Sequence, residues 1–246
     1  DYILEVLDSE NMDRKSNPYV NRFEEKFSEV FKSKYSIAHN SGTSTLHSCL
    51  VALGVEPGDE VIVPTWTMCA CATAILNWNA IPVFADINPD NYCIDPVSVE
   101  ANITPNTRAI MAVDIFGQSA DMNALMSIAD KYGLKVISDT AQAPGSFYKE
   151  KLSGTEAHIG GYSLNYHKHI HTGEGGLLVT NNDDLALKSQ LIRNHGENVT
   201  EEYGMDDLSN CIGSNYRFTE IQAAIGVEQF KKLKGILKHR EELGAY

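Results

Sequence analysis

The sequence predicts an α/β fold, with a mostly parallel sheet flanked by helices on both faces. Three observations carry that expectation. Segments such as Val61-Ile62-Val63 and Ala109 to Phe116 are apolar almost throughout, the pattern of strands buried on both faces. A helical pattern separates each from the next, as crossover connections between parallel strands require. No internal repeat or low-complexity linker breaks the alternation, so a single α/β domain accounts for most of the chain.

Taken in order, Pro18 to Lys34 places Val20, Phe23, Phe27, Val30 and Phe31 at helical spacing among charges. Ser36 to His39 is a short strand, and Asn40 to Ser44 is a turn that opens a helix over Thr45 to Leu53. A Gly- and Pro-bearing link, Gly54 to Glu60, leads to the strand Val61 to Val63. A helix over Met68 to Trp78 and a strand over Pro82 to Asp86 follow. The alternation continues with helix Asp95 to Asn102, strand Ala109 to Phe116, helix Met122 to Tyr132 and strand Leu134 to Ser138. Gly160 to Leu164 and Leu177 to Thr180 are two further strands, and helices over Asp184 to Asn194 and from Thr219 onward close the region.

The formal net charge of -13 argues against a nucleic-acid surface, which needs clustered Lys and Arg. No window is apolar for long enough to span a bilayer, and the first residues lack the basic and apolar regions of a signal peptide. A cytoplasmic protein is the expectation. The five cysteines, Cys49, Cys69, Cys71, Cys93 and Cys211, lie among apolar neighbours without metal-knuckle spacing and read as reduced core thiols. The chain has no initiator methionine and a helical pattern still runs at Tyr246, so trimmed ends and an absent C-terminal segment are expected.

In such a sheet, ligands bind beyond the carboxyl ends of the strands. Gly42-Thr43-Ser44, Trp66 to Met68, Asp114, Asp139 with Gln142, and Ser163 with Lys168 fall there. Lys168 stands between histidines and ahead of Gly173-Glu174-Gly175-Gly176, in a loop joining two core strands, where reactive groups are commonly carried. It reads as an amine held for covalent chemistry, with a solvated loop lysine as the alternative. Gly42-Thr43-Ser44 offers free N–H groups and a helix start for a phosphate, or a plain N-cap. Asp139 is placed to pair with a cationic ring nitrogen, or to cap a helix. His167, His169 and His171 alternate, and a metal site is a lesser reading of them.

These residues also carry a resemblance. Ser163 with Lys168, Gly173-Glu174-Gly175-Gly176, Asn40-Ser41-Gly42-Thr43 and Ser138-Asp139-Thr140-Ala141-Gln142 resemble motifs of the DegT/DnrJ/EryC1/StrS sugar aminotransferases. Pro57 to Pro64, Phe116-Gly117-Gln118, Arg193-Asn194-His195-Gly196 and Gly213 to Arg217 match further segments, from about Pro18 to the end. The resemblance implies an enzyme of the aspartate aminotransferase fold type that uses pyridoxal 5'-phosphate. It implies an N-terminal helical segment over 1–35, a cofactor-binding large domain over 36–230 and, over 231–246, the start of a helix leading to a small C-terminal domain that is largely missing. Lys168 is then the Schiff-base lysine, Asp139 the partner of the pyridine nitrogen, and Gln142 a donor near the ring's phenolic oxygen. Gly42, Thr43, Ser44 and Ser163 hold the phosphate, and Asn215 reaches the phosphate of the neighbouring subunit in a homodimer. The position that usually carries a ring-stacking aromatic is Met68 here, which leaves Met68 or Trp66 for that role. Arg193 and His195 are candidates near the substrate or ordinary surface residues. The implied reaction moves an amino group from glutamate or glutamine to a keto-sugar on a nucleotide carrier. Dehydration of a keto-deoxysugar, and a non-catalytic binding or regulatory role, are the alternatives.

Overall fold

The computed structural model describes residues 2–9, 19–197 and 212–246; Pro18 and Cys211 lie outside them. The order is α1 (Tyr2–Asp8), α2 (Tyr19–Phe31), β1 (Tyr35–His39), α3 (Gly42–Ala52), β2 (Glu60–Pro64), α4 (Ala70–Asn77), β3 (Ile81–Ala85), α5 (Pro96–Ala101) and β4 (Thr107–Val113). A 3-10 turn (Ile115–Gly117) leads to α6 (Met122–Tyr132), β5 (Lys135–Asp139), the short pair β6 (Phe147–Tyr148) and β7 (Lys151–Leu152), β8 (Ile159–Ser163), β9 (Gly176–Thr180), α7 (Asp183–Arg193) and α8 (Glu220–Gly244).

A seven-stranded sheet runs β1-β9-β8-β5-β4-β2-β3. The run from β8 to β3 is parallel, whereas β9 is antiparallel to both β8 and β1. The mostly parallel α/β fold is therefore as the sequence predicts. Val61, Ile62 and Val63 are all fully buried, so both faces of β2 are covered, as a parallel strand demands. Because β3 lies outside β2 and β4 lies on its other side, the chain reverses its direction of travel across the sheet between β3 and β4. Such a reversal opens a crevice at the carboxyl ends of the strands.

Two boundaries and one short hairpin differ from the sequence expectation for physical reasons. Helix α3 begins at Gly42 instead of Thr45, because the Ser41 side chain accepts from Ser44 N and the Ser44 side chain accepts from Ser41 N in a capping box. Strand β4 ends at Val113 instead of Phe116. The Asp114 carboxylate, fully buried, accepts from Ala120 N, Ser119 Oγ, Ser138 Oγ and Thr140 Oγ1, and Phe116 has a φ of 53°, outside the strand region. Asp114 is thus a structural hub that ties the end of β4 to β5. The β6–β7 hairpin, with two residues in each strand, is too short to show a period.

Helices α2 and α8 pack together and form a second cluster with β1, β8 and β9. Phe23, Phe27 and Phe31, spaced at i, i+4 and i+8, bury one helix stripe. The Phe27 and Phe31 rings stack with centroids 4.1 Å apart, and Phe27 meets Tyr162 of β8 edge-on at 5.0 Å. Arg193, a candidate near the substrate by resemblance, is buried here and pairs with Glu24 while donating to Ala38 O; it locks α7 to α2 and β1. Truncation of Phe27 to Ala is expected to cost about 3–5 kcal/mol, read as a lower urea midpoint with an unchanged slope.

Candidate active site

The carboxyl edge of β4, β5 and β8, the N-terminus of α3 and the loop between β8 and β9 enclose a cavity of about 200 Å³. Its position is set by close backbone packing. Strand β1 delivers the chain to Ser41, and the first turn of α3 then lies directly on the ends of β8 and β9. A Cβ on Gly42 would sit 2.9 Å from Ser163 Cβ, and one on Gly176 would sit 2.4 Å from Ser41 O. Only glycine permits either approach.

The backbone N–H groups of Gly42 and Thr43 belong to the first helical turn and have no intrahelical acceptor; both residues line the cavity. With the helix dipole behind them they favour an anion. Ser163, the last residue of β8, brings its hydroxyl to the same end, where it accepts from Asn165 N at 3.3 Å. Ser44 does not line the cavity. Its hydroxyl is spent inside the capping box, where it donates to Asn40 Oδ1 or Ser41 O.

Asp139 ends β5 and is buried. Its Oδ1 accepts from Ala141 N at 3.0 Å, and its Oδ2 accepts from the Cys71 thiol at 3.0 Å. Burial raises its pKa, while the Cys71 and Ala141 hydrogen bonds and the positive charge of Lys168 pull it back down. Gln142 reaches the cavity three residues later, and its Oε1 accepts from Phe116 N at 3.1 Å.

Lys168 lies in the β8–β9 loop, where its own N–H donates to Asn165 O. The loop is tied off by Leu164 N to Gly175 O at 2.8 Å and by Asn165 Nδ2 to Glu174 Oε1 at 2.6 Å. The Lys168 amine is half-buried in the cavity wall and, among the described residues, has no hydrogen-bond or ion-pair partner. Burial lowers its pKa, with the Asp139 charge opposing. The site therefore presents an uncommitted amine, a fixed carboxylate and an anion cradle around one small cavity.

Among the sequence candidates, Gly42, Thr43, Met68, Asp139, Gln142, Ser163 and Lys168 line this cavity, and Trp66 does not. Asn215 is exposed, and its backbone C=O accepts from Asn40 Nδ2 outside the cavity. His195 is exposed, with its N–H on Ser214 O. Among the described residues no cluster of His, Cys, Asp or Glu could hold a metal, since the loop of His167, His169 and His171 turns where a ligand ladder would need an extended strand. Sequence reasoning assigned no role to Asn165 and Glu174, which line the cavity, nor to Cys71 behind Asp139. A cysteine in an apolar run carries no signal that sets it apart from core.

Fold and site together define an α/β protein with an amine, a carboxylate and an anion cradle at the carboxyl edge of its sheet. The chain belongs to the DegT/DnrJ/EryC1/StrS aminotransferase family, whose model matches residues 1–246. It is 40% identical over 243 residues to GDP-perosamine synthase of Caulobacter vibrioides, covering 99% of this chain and 64% of that protein. Among solved structures, the aminotransferase from Psychrobacter cryohalolentis superposes with a TM-score of 0.88 at 37% identity, over 94% of this chain and 60% of that one. NtdA from Bacillus subtilis, solved with bound cofactor PMP, gives 0.85 at 36% identity, over 94% and 52%. The chain spans less than two thirds of the length of the curated relatives it matches first.

The seating of α3 has a direct test. Gly42→Ala is expected to destabilise the chain by about 1–3 kcal/mol, and adding Ser163→Gly is expected to recover most of that loss, read as urea midpoints. Equal losses in the single and double variants would contradict the packing argument.

Proposed function

We propose that this chain is the cofactor-binding part of a pyridoxal-phosphate-dependent aminotransferase that moves an amino group from glutamate or glutamine to a keto-sugar, specifically a nucleotide-linked keto-deoxysugar. The observation that carries the reading is the pairing, in one small cavity, of an amine that has no partner among the described residues and a buried carboxylate held by two donors. The likeness to GDP-perosamine synthase supports the sugar acceptor.

The residues fit the cofactor. Gly42 and Thr43 offer backbone N–H groups and, with the Ser163 hydroxyl, hold its phosphate. Asp139 would pair with the cofactor's pyridine nitrogen and favour its protonated form by direct charge pairing. Gln142 would hydrogen-bond near the phenolic oxygen, and the Met68 thioether would pack against the ring. Bound there, pyridoxal phosphate supplies an electron sink for the carbanion left when a proton departs from the carbon bearing the amine. Lys168 would hold the cofactor, its amine being the nucleophile for the cofactor's aldehyde carbon. With its amine free, Nζ would serve as the base and acid that moves a proton at the substrate carbon. Burial favours the neutral form of that amine, which both tasks require.

A homodimer with Asn215 reaching the neighbouring phosphate, and a cytoplasmic setting, complete the proposal. The exposed position of Asn215, away from its own chain's cavity, supports the first. Lys168 in the lysine register weighs against the dehydratase, and its amine in the cavity wall weighs against a non-catalytic module.

The test is the visible absorption of the protein with pyridoxal phosphate, before and after glutamate. The lysine-bound band is expected to form, to shift on adding glutamate and to be absent from Lys168→Ala; a folded chain that forms no band contradicts the reading. Asp139→Asn is expected to keep the band but slow its response to glutamate by about 10²–10³-fold. The rate of band formation is expected to rise with pH as the amine loses its proton, with a midpoint below the 10.5 of an unperturbed lysine. A midpoint at or above that value would show that burial does not govern the amine.

A further inference from the structure

We infer that Cys71 is a positioning residue: its thiol donates to Asp139 Oδ2 and fixes the carboxylate for its ring partner. The inference rests on the reading of Asp139 as the partner of the pyridine nitrogen.

Cys71 stands in the first turn of α4, is fully buried, and does not line the cavity. Its side chain reaches the site through Asp139, with Sγ 3.0 Å from Oδ2, while its backbone N–H donates to Met68 O. On its other side Sγ lies 3.2 Å from Thr67 Oγ1. The donor directions follow from elementary bookkeeping. An ionised carboxylate only accepts, so the thiol proton points at Oδ2. The Thr67 hydroxyl must then donate to sulfur. The result is a directed relay, Thr67 to Cys71 to Asp139, that runs from the loop after β2 to the end of β5.

With Ala141 N on Oδ1, the Cys71 contact means that each carboxylate oxygen has one protein donor. Two donors on different oxygens fix the plane of the group as well as its position. The thiol does this without adding charge: burial and the adjacent carboxylate raise its pKa well above the ordinary thiol value, so it stays protonated as a neutral donor. A cationic donor in its place would compete with the ring nitrogen for Asp139.

The test uses Cys71→Ser, Cys71→Val and Cys71→Ala, with two readouts. The first needs no cofactor. The S–H stretch that vanishes in Cys71→Ala is expected at the lowered frequency of a hydrogen-bonded thiol, and is expected to move up in Asp139→Asn. A stretch at the free-thiol frequency in the unsubstituted chain would overturn the inference, whatever the cofactor does. The second is the pH midpoint of the visible band of the cofactor-loaded protein. Loss of the donor in Cys71→Ala and Cys71→Val is expected to move it, together with an about tenfold weaker hold on pyridoxal phosphate, and Cys71→Ser is expected to restore both. A packing role gives the opposite order, with Cys71→Val closest to the original protein and Cys71→Ser no better than Cys71→Ala, and would overturn it. Failure of every form to take up cofactor would refute the role toward the ring while the S–H shift still reports on the bond.

Discussion

The close approach between the first turn of α3 and the ends of β8 and β9 is the constraint on which the site depends. Gly42 lies against the Ser163 side chain and Gly176 against the Ser41 backbone, with no room for a Cβ at either. That contact puts the free N–H groups of a helix start beside a strand-end hydroxyl. It also sets the distance from this anion cradle to Asp139, at the end of the adjacent strand β5. A larger residue at either glycine would move the helix and open the cavity at its most polar end.

The second requirement is that polar groups buried at the edge be satisfied before any ligand arrives. Asp114 meets it with four donors and locks β4 to β5. Asp139, on the next strand, has two, and burial holds its pKa up. The two carboxylates stand at neighbouring strand ends in different surroundings. One is enclosed by hydroxyls and backbone, and the other opens on the cavity with a lysine amine in its wall. The α2–α8 layer matters to this arrangement because its aromatic stripe packs on Tyr162, immediately before Ser163.

Much of this was legible in the sequence. Apolar strands buried on both faces need no alternation and stood out, as did Asp139 and Ser163 at strand ends and Lys168 before its glycines. What the sequence hid were interactions that depend on partners far along the chain. Ser44 lies inside the expected phosphate turn, yet its hydroxyl closes a cap, because Ser41 three residues earlier claims the helix start. Arg193 sits in a motif-like run but answers Glu24 across the fold. Cys71 looks like core because a thiol is apolar enough to be buried anywhere; only the 3.0 Å contact to Asp139 distinguishes it. The antiparallel insertion of β9 between β8 and β1 was equally hidden, since strand direction leaves no mark on a five-residue apolar run.

The proposed function turns on Lys168 as the amine poised for covalent capture. Borohydride reduction of the protein mixed with pyridoxal phosphate, followed by digestion and mass spectrometry, tests it most directly. A single reduced pyridoxyl adduct is expected on the peptide carrying Lys168. An adduct spread over surface lysines, or placed on another lysine with Lys168 unmodified, would contradict it.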